Sequence, residues 1–434
     1  MENQDIAITG MSGDATLSLE QQGVAIPGLN RDSGLFADQQ RTAIQKGNRA
    51  TDLLTANHLN NSILARDAFC ILGLPFDAVN LSETKSLVLS DINNKKRCFL
   101  TTANLNFLIA AQSDPSFFQT VVDSDLVIAD GMPIIWIAKL LGMPLTERVA
   151  GSDLFDALYK QKGHAKKTSV FFFGGNEGIA KRASQKMNKS SQAMSCCGFL
   201  NPGFVSVDEM STPDIIDFIN QANPDFLLVS LGAVKGQAWI QQNRGKLNAP
   251  IISHLGAVVN FIAGNIERAP IVWRRCSLEW LWRIVQEPVL WKRYFLDGIA
   301  FIRLLTFKVF PLAIYNRWLK KSYNLKSPVS ISYDISDRFY AVKLSGSVRR
   351  HTDLKTVKSK LAEVLQAGPI NVELNCSGLL YIDGAFIGSL MLFQRELNQQ
   401  GRQLYLKNLS KRIIRLLKLY NASGHFQYQR TGNK

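Results

Sequence analysis

The sequence predicts a doubly wound, mostly parallel α/β sheet, followed by a second and smaller α/β domain. Between Asp67 and Gly256, short apolar runs typical of buried strands alternate with stretches that have helical apolar spacing. Most of these runs end in polar residues or glycine, as parallel strands commonly do where they meet a ligand. After Lys320-Lys321 the alternation of strand and helix patterns starts again, which indicates a separate domain.

The first domain is assembled from five strand patterns. A helix pattern over residues 104–112 follows the first of them. In doubly wound sheets ligands bind outside the carboxyl ends of the strands, so polar residues at those ends are the first candidates for a site. The predicted strands span Cys98–Thr102, Leu126–Ala129, Ser169–Phe173, Phe226–Leu231 and Pro250–His254.

The second domain has an order of strands and helices, with a turn at Asp383, that resembles a STAS domain, the fold of anti-sigma-factor antagonists. That family often has Asp-Ser where this chain has Asp383-Gly384, so phosphorylation at that position is not expected. The resemblance leaves a protein-docking module or an inert relic as alternatives. The predicted strands are 327–335, 339–346, 369–375 and 403–408, and the predicted helices are 352–365, 387–399 and 410–419.

The composition of the N-terminal segment and of the whole chain indicates the kind of partner and the kinds of site to expect. Residues 1–65 are rich in Gln, Asn, Asp, Gly and Ser, and we expect a largely disordered extension, with a helix near Gln39–Leu64. The formal net charge is +15 and the pI is about 9.5, which suggests an anionic partner such as nucleic acid, an acidic membrane or phosphorylated substrates. The six cysteines and five histidines lack metal-ligand spacing, so we expect reduced thiols and no zinc site.

A basic and aromatic segment, Leu290 to Lys321, separates the two domains. Its apolar part, Tyr294 to Tyr315, is interrupted by Asp297 and Arg303 as well as by a lysine and a proline, and spanning helices carry few charges. The composition favours a helix lying in a membrane interface. The open alternative is a helix that covers the first domain.

Three polar residues lie at the ends of predicted strands, where a site is expected. Asp130 precedes a glycine, where an aspartate commonly forms an Asx-turn, although its carboxylate could also act as a general base. Thr102 and Asn104 end the first strand, where a helix N-cap and a functional role are equally weighted. Asp123-Ser124-Asp125 has the spacing of a metal site but precedes its strand, so we expect a solvated turn there.

The stretch from Glu267 to Tyr294 alternates arginines, carboxylates and tryptophans. It contains Glu-Arg-Ala-Pro, Leu-Glu-Trp-Leu-Trp-Arg and Lys-Arg-Tyr. Together with Thr102-Ala-Asn, Asp130-Gly and Arg148, it resembles the WecG/TagA/CpsF family of bacterial glycosyltransferases, over roughly Asp67 to Asn324. The resemblance implies a Rossmann-like fold, with a transferase domain at 66–289, a membrane-association appendage at 290–325 and the STAS-like domain at 326–434.

The resemblance also implies site residues. It makes Asp130 the catalytic base, with Thr102 and Asn104 beside it, and gives the remaining positions to substrate binding. One departure lies at Leu231–Trp239, where the family's Pro, Gln and Glu are replaced by Val, Gly and Gln, which puts the donor sugar in doubt. The implied substrate-binding residues are Arg148, Gly174, Gly175, Lys235, Gln237, Arg268, Arg275, Arg283 and Arg293.

The predicted function is an inverting transfer of a hexose or N-acetylhexosamine, such as N-acetylmannosamine, from a UDP-sugar to a polyprenyl-diphosphate-linked sugar. The enzyme is expected to be cytoplasmic and peripheral on the inner membrane surface, to build extracellular or cell-surface polysaccharide, and to need no metal and no cofactor. The alternative is a catalytically weak scaffold that binds a partner through the STAS-like domain. Nucleic-acid binding is a weaker interpretation of the charge, since no reader motif occurs, and self-association stays open.

Overall fold

The structure is a computed structural model that describes residues 63–161, 166–267, 269–275, 278–323, 327–335, 339–350 and 354–429. For Ile271, Arg275 and Ile335 it describes the backbone alone. Nearly all of the predicted N-terminal extension, including the helix near Gln39–Leu64, lies outside these residues. Of that segment only a short 3₁₀ turn, Ile63–Ala65, is described.

The described chain begins with an antiparallel hairpin that the sequence patterns did not reveal. Strands β1 (Ala68–Ile71) and β2 (Leu74–Asp77) are buried along their whole length. Each is four residues long and carries no alternation of polar and apolar residues, which is the periodicity that identifies half-buried strands. Leu72 and Gly73 form the connection with positive φ values.

The first domain is a six-stranded parallel sheet in the order β4-β3-β8-β7-β5-β6. The five predicted strands are confirmed, and β6, which mixes buried and exposed positions, was not predicted. Because the chain leaves β3 toward β4 and later returns to fill the other side, the sheet has a switch point beside β3. The strands are β3 (Cys98–Ala103), β4 (Leu126–Ala129), β5 (Thr168–Gly174), β6 (Met194–Leu200), β7 (Phe226–Ser230) and β8 (Ile251–His254).

Helices cover both faces of this sheet, and the first three of them begin at a side-chain N-cap. Asn80 and Glu83 form a reciprocal capping box at the first helix, and Asp114 caps the third just before Pro115. The helices are α1 (Leu81–Asn93), α2 (Leu105–Ser113), α3 (Pro115–Val122), α4 (Met132–Leu140), α5 (Gly151–Tyr159), α6 (Ile179–Ser190), α7 (Pro213–Gln221), α8 (Ala233–Asn243) and α9 (Val258–Ala263).

A helical arm follows the sheet domain. It consists of α10 (Ile271–Arg275), α11 (Glu279–Gln286), α12 (Trp291–Leu304), a π-helical segment (Leu305–Val309) and α13 (Phe310–Ser322). The helix from Pro288 to Ser322 is long and apolar enough to cross a membrane by length and composition, yet only 17% of its most apolar window is buried. Most of its apolar surface is therefore uncovered.

The second domain has a five-stranded sheet in the order β13-β12-β11-β10-β9, parallel except for the β9–β10 pair. The helix after Asp383 starts at Gly384, three residues earlier than predicted, because the Asp383 carboxylate accepts the Phe386 N–H as an N-cap. The elements are β9 (Ser330–Ile335), β10 (Phe339–Val348), α14 (Leu354–Gln366), β11 (Asn371–Ile382), α15 (Gly384–Gln399), β12 (Leu404–Lys407), α16 (Lys411–Leu419) and β13 (Gln427–Gln429).

One continuous hydrophobic core joins the two domains. It includes Phe107 and Ile134 of the sheet domain, Leu312 of the arm, and Phe386 and Leu390 of the second domain. Two further cores lie within the sheet domain alone. The second domain is therefore packed onto the first through buried apolar surface, which is the main source of stability at such contacts.

The Asp123-Ser124-Asp125 turn was wrongly expected to be solvated. Ser124 is fully buried, and its carbonyl accepts hydrogen bonds from Arg395 of α15 (2.8 Å) and from Arg66 (2.9 Å). Asp125 forms an ion pair with the same Arg395. This turn is thus a contact between the domains, in which a carbonyl and a carboxylate bind the two terminal nitrogens of an arginine that is itself 4% exposed.

Candidate active site

A cavity of about 980 Å³ opens at the carboxyl ends of the central strands. Residues at the ends of β3, β4, β7 and β8 form its floor, and residues of α11 and α12 line another side. This is the position at which ligands bind in doubly wound sheets. The predicted site residues that line it are Thr102, Asn104, Asp130, Arg148, Gly175, Lys235, Arg283 and Arg293.

Asp130 follows β4 and has its carboxyl group beside the start of α5. The Gly151 N–H approaches its Oδ2 at 3.5 Å. Burial raises the pKa of Asp130 to about 6, against an opposing effect of the Arg148 charge. A carboxylate with a pKa near 6 is ionised at neutral pH and is a stronger base than an ordinary aspartate, which suits it to accept a proton.

Arg148 holds two carboxylates next to Asp130. Its Nη1 donates to Glu279 Oε2 at 2.8 Å, and its Nη2 donates to Asp153 Oδ2 at 2.7 Å. Arg274 also approaches Asp153, at 3.6 Å. Arg148 is therefore already paired with two carboxylates. It links the first turn of α11 to α5, and its positive charge offsets the negative charge around Asp130.

Thr102 and Asn104 lie at the end of β3. The Asn104 side-chain oxygen accepts the N–H groups of Asn106 (3.0 Å) and Phe107 (3.3 Å), so Asn104 is the N-cap of α2. Thr102 is 6% exposed and lies against Gly151, where an added Cβ would be 3.0 Å from the threonine Cγ2. The capping role of Asn104 is confirmed, and its oxygen is committed to the helix while the residue still lines the cavity.

The glycine-rich turn after β5 reaches the cavity with Gly175 and Asn176. Gly174 and Gly175 both have φ near +89°, and the Gly175 N–H donates to the Ser230 carbonyl at 2.7 Å. A Cβ on Gly174 would come within 2.7 Å of that same carbonyl. Gly174 is therefore required for packing, and of the pair only Gly175 lines the cavity.

The altered motif after β7 has a structural reason. A Cβ on Gly236 would lie 2.3 Å from Cδ2 of His254, so the imidazole occupies the space that a side chain at 236 needs. His254 Nε2 is 2.6 Å from the Leu231 carbonyl, and burial lowers the pKa of His254, so the ring is neutral and donates this hydrogen bond. His254 lines the cavity.

Two motif residues near this turn differ in placement. Lys235 lines the cavity and donates from Nζ to the Val205 carbonyl at 2.7 Å. Gln237 is fully buried and donates from Nε2 to Thr101 Oγ1 at 3.1 Å, and it does not line the cavity. The structure therefore does not bring Gln237 to the other predicted substrate-binding residues, because the amide points into the contact between α8 and β3.

The predicted arginine cluster is only partly described. Arg268 and the side chain of Arg275 lie outside the described residues. Arg283 lines the cavity with its guanidinium 5.8 Å from the Phe261 ring centre, and its buried Nε has no hydrogen-bond partner among the described residues. Arg293 is about half exposed and lies 3.8 Å from Asp297. These two arginines have more donor capacity left for a ligand than Arg148 has.

Several cavity residues escaped the sequence analysis. Asp297 interrupts an apolar helix, and its carboxylate accepts a hydrogen bond from Asn106, while burial raises its pKa. That interruption was the available signal, and it was taken only as evidence against a membrane span. Trp136 and Trp280 are nearly half exposed at the cavity edge.

Among the residues that the structure describes, no group of three or more His, Cys, Asp or Glu side chains could hold a metal ion. Metal independence stays a prediction.

Comparison with known proteins gives two family matches. The family described as "Glycosyl transferase WecG/TagA/CpsF family" matches residues 69–313, and the domain described as "Mlab, STAS domain" matches residues 331–427. The first match spans more than half of the chain and contains every described residue of the cavity.

Curated relatives carry the name N-acetylglucosaminyldiphosphoundecaprenol N-acetyl-beta-D-mannosaminyltransferase. One from Bacillus spizizenii is 28% identical over 46% of this chain and 76% of its own length, and one from Bacillus subtilis is 27% identical over 46% and 77%. One from Staphylococcus aureus is 22% identical over 58% of this chain and 94% of its own length. The alignments cover three quarters or more of each relative and about half of this chain.

Proposed function

The chain belongs to the glycosyl transferase WecG/TagA/CpsF family, and from this premise we propose that it transfers an N-acetylhexosamine from a UDP-sugar to a polyprenyl-diphosphate-linked sugar. The observation that carries the proposal is Asp130, a carboxylate with a raised pKa in a cavity that also holds Arg283 and Arg293. The names of the relatives favour an N-acetylglucosamine-bearing lipid acceptor and an N-acetylmannosamine donor.

Asp130 acts as the general base in this proposal. It takes the proton of the acceptor hydroxyl as the hydroxyl oxygen bonds to the anomeric carbon. The bond from that carbon to the diphosphate oxygen breaks, and the leaving nucleotide keeps the electron pair. A single displacement of this kind inverts the configuration at the anomeric carbon and needs no second carboxylate as nucleophile.

Arg283 and Arg293 receive the leaving diphosphate. Negative charge grows on the phosphate oxygens as the bond breaks, and preorganised guanidinium groups stabilise that charge in a site shielded from water. Arg283 has no carboxylate partner among the described residues, whereas Arg148 is engaged by Glu279 and Asp153. Gly175 allows the backbone after β5 to approach a phosphate closely.

The acceptor lipid enters from the side of the helical arm. Trp136 and Phe301 line the cavity edge with ring centres 6.1 Å apart, and they offer apolar surface to the first isoprene units. Beyond them the arm exposes a continuous set of large apolar side chains. Those at least 60% exposed between 285 and 314 are Val285, Val289, Phe295, Leu296, Ile302, Phe307 and Ile314.

We assign this exposed set to the cytoplasmic face of a membrane. The arm also carries basic residues, including Lys292, Arg303 and Lys308, which are attracted to anionic headgroups by roughly 1 kcal/mol each. An interfacial helix with aromatic and basic residues would hold the cavity at the level of a lipid diphosphate. The product would serve cell-surface or extracellular polysaccharide synthesis.

The experiment is a screen of UDP-sugars with a short-chain lipid-diphosphate N-acetylglucosamine acceptor, read by product mass. The proposal predicts acceptor mass increased by one N-acetylhexosamine with one donor and none when the acceptor is omitted. If no UDP-sugar extends the acceptor while the same protein binds a nucleotide sugar, transfer to this acceptor class is wrong. If it binds no nucleotide sugar at all, the scaffold alternative gains support.

A further inference from the structure

We propose that the C-terminal STAS domain is an internal brace of the transferase, whose partner is the transferase domain of its own chain. In this arrangement one face of α15 is occupied by the β1–β2 hairpin, and the domain holds the helical arm in place along the cavity. The inference assigns positioning roles to Gly388 and Asn316, two residues far from the candidate base in sequence.

The contact between α15 and β1 is close because two glycines face the strand. A Cβ on Gly388 would lie 2.5 Å from the Ala68 carbonyl oxygen and 3.1 Å from the Cys70 nitrogen. A Cβ on Gly384 would lie 2.5 Å from Met143 Cε and 3.2 Å from the Cys70 carbonyl oxygen. Positions four residues apart share a helix face, so the backbone of β1 fits against a surface free of side chains.

The same face of α15 continues to a buried arginine. Arg395 lies two helical turns after Gly388, and it binds the Ser124 carbonyl and the Asp125 carboxylate of the transferase domain. Removing the Asp125 carboxylate would leave the buried Arg395 charge without its ionic partner, which is strongly destabilising. A separate protein could reach this face only after the contact had opened.

The second domain also contacts the C-terminal end of the helical arm through buried hydrogen bonds. Asn316 of α13 is 7% exposed, donates to the Tyr420 hydroxyl at 3.3 Å and accepts from the Tyr381 hydroxyl at 3.3 Å. Both tyrosines are 2% exposed and belong to the second domain. Nearby, Arg412 lies 3.8 Å from the Tyr323 ring centre, which is a close cation–π contact.

The other end of the same continuous helix lines the cavity. Arg293, Tyr294, Asp297 and Phe301 of α12 contribute to its wall, and the helix runs without a break from Pro288 to Ser322. Its π-helical segment lies between the cavity half and the braced half, and such segments frequently mark functional sites. A displacement of α13 is therefore transmitted to the cavity wall.

The first test is hydrogen exchange on the intact protein with Gly388→Leu. The added side chain must push β1 away, so amides of the hairpin 68–77 and of α12 should exchange about tenfold faster, as expected for a local opening. Amides of β7 should keep their native rates. The control is Gly424→Leu in the same domain, where a Cβ meets open space. Faster exchange confined to residues 330–429 would overturn the proposal.

The second test is kinetic, and it rests on the proposed transfer reaction. Asn316→Leu removes both tyrosine contacts and should raise KM for the lipid acceptor about tenfold, because α12 lines the acceptor side of the cavity. The fall in kcat should be smaller, because the base Asp130 lies outside the arm. Asn398→Leu, at an exposed site of α15, is the control. A fall in kcat with unchanged KM would indicate only a smaller folded fraction and would contradict a positioning role.

The two tests separate the brace from the proposed activity. Hydrogen exchange needs no substrate, so its failure rejects the brace even in an active enzyme. If the exchange results agree with the brace but the unaltered protein transfers no sugar, the proposed function is rejected instead. If Gly388→Leu unfolds the whole chain, Asn316→Leu decides by exchange in α12. One further outcome would also reject the brace. In it, Gly388→Leu abolishes the capture of a separate partner protein but does not change the exchange rates of the hairpin amides.

Discussion

In the transferase domain, the imidazole of His254 occupies the volume that a side chain at Gly236 would need. A Cβ at residue 236 would lie 2.3 Å from the imidazole Cδ2, and the imidazole is held by its hydrogen bond to the Leu231 carbonyl. The two positions are eighteen residues apart in the chain and belong to α8 and β8. In this chain the imidazole of His254 therefore leaves no room for a side chain at residue 236.

This relationship predicts the sign of a simple substitution. Alanine in place of a helical glycine usually stabilises a helix by about 1 kcal/mol. Gly236→Ala should instead lower Tm by about 2–6 °C, because the added methyl group overpacks the core against His254. Differential scanning calorimetry measures this, with Gly298→Ala as the control, since that helical glycine faces open space.

The coupling between the two residues can be measured with a double variant. Combining Gly236→Ala with His254→Ala should recover part of the Tm lost by Gly236→Ala alone, because the obstructing ring is gone. Strictly additive losses would show that residue 236 does not sense the imidazole.

The raised pKa of Asp130 predicts how stability depends on pH. A folded-state pKa of about 6, above the ordinary value of 3.8, means that the folded protein binds more protons than the unfolded chain between those values. This group therefore stabilises the protein less as pH rises from about 4 to about 6. Asp130→Asn should be more stable than the native protein above pH 6, by up to about 3 kcal/mol, and this difference should vanish below pH 4.

Urea unfolding of both proteins at several pH values checks this prediction. Asp114→Asn is an unsuitable control, because Asp114 caps a helix, whereas Asp217→Asn changes an exposed aspartate. A stability difference that does not change with pH would contradict the raised pKa.

Arg148 should tune the base without contacting phosphate. Its charge opposes the rise in the pKa of Asp130, so Arg148→Met should move the acid limb of the transfer rate to a pH above 6. Because Glu279 and Asp153 lose their shared partner, we also expect a lower Tm. The pH profile of kcat/KM measures the first effect. An unshifted profile with a large rise in KM for the nucleotide sugar would instead favour a direct phosphate contact.

Exposed side chains of the arm should anchor the protein to lipid. Placing a charge in Ile302→Glu or Phe307→Glu should weaken binding to anionic vesicles about tenfold or more, since each loses roughly 1.5–3 kcal/mol of apolar burial. Vesicle cosedimentation measures this against Leu87→Glu, an exposed leucine of α1. Equal loss with Leu87→Glu, or no loss with either arm variant, would contradict the assigned face.

Five of the six strands of the first sheet, four of the five strands of the second sheet and the three helices of the second domain could be predicted, because their apolar periodicity is local. Asp130 was a candidate because it follows a strand, whereas Arg148 was assigned to the site only by the family resemblance. The hairpin 68–77 could not be predicted. Its strands are buried on both faces because the second domain also covers them, and that contact is not visible in the local sequence. Gln237 was misplaced for a related reason: its helix was identified, but which face of α8 packs on Thr101 depends on tertiary packing.

Some site features required coordinates. Asp297 reaches Asn106 only because the arm folds back over the start of α2, nearly two hundred residues earlier in the chain. His254 was judged an isolated histidine, since its partners are a backbone carbonyl and a glycine, neither of which leaves a mark in sequence spacing.

The most direct test of the central claim is the transfer rate of Asp130→Asn with saturating UDP-sugar and lipid acceptor. The variant keeps the shape of the side chain and removes the base, so kcat should fall by about 10²–10⁴-fold while nucleotide-sugar binding stays near native. A variant with native kcat would contradict the assignment of Asp130 as the base.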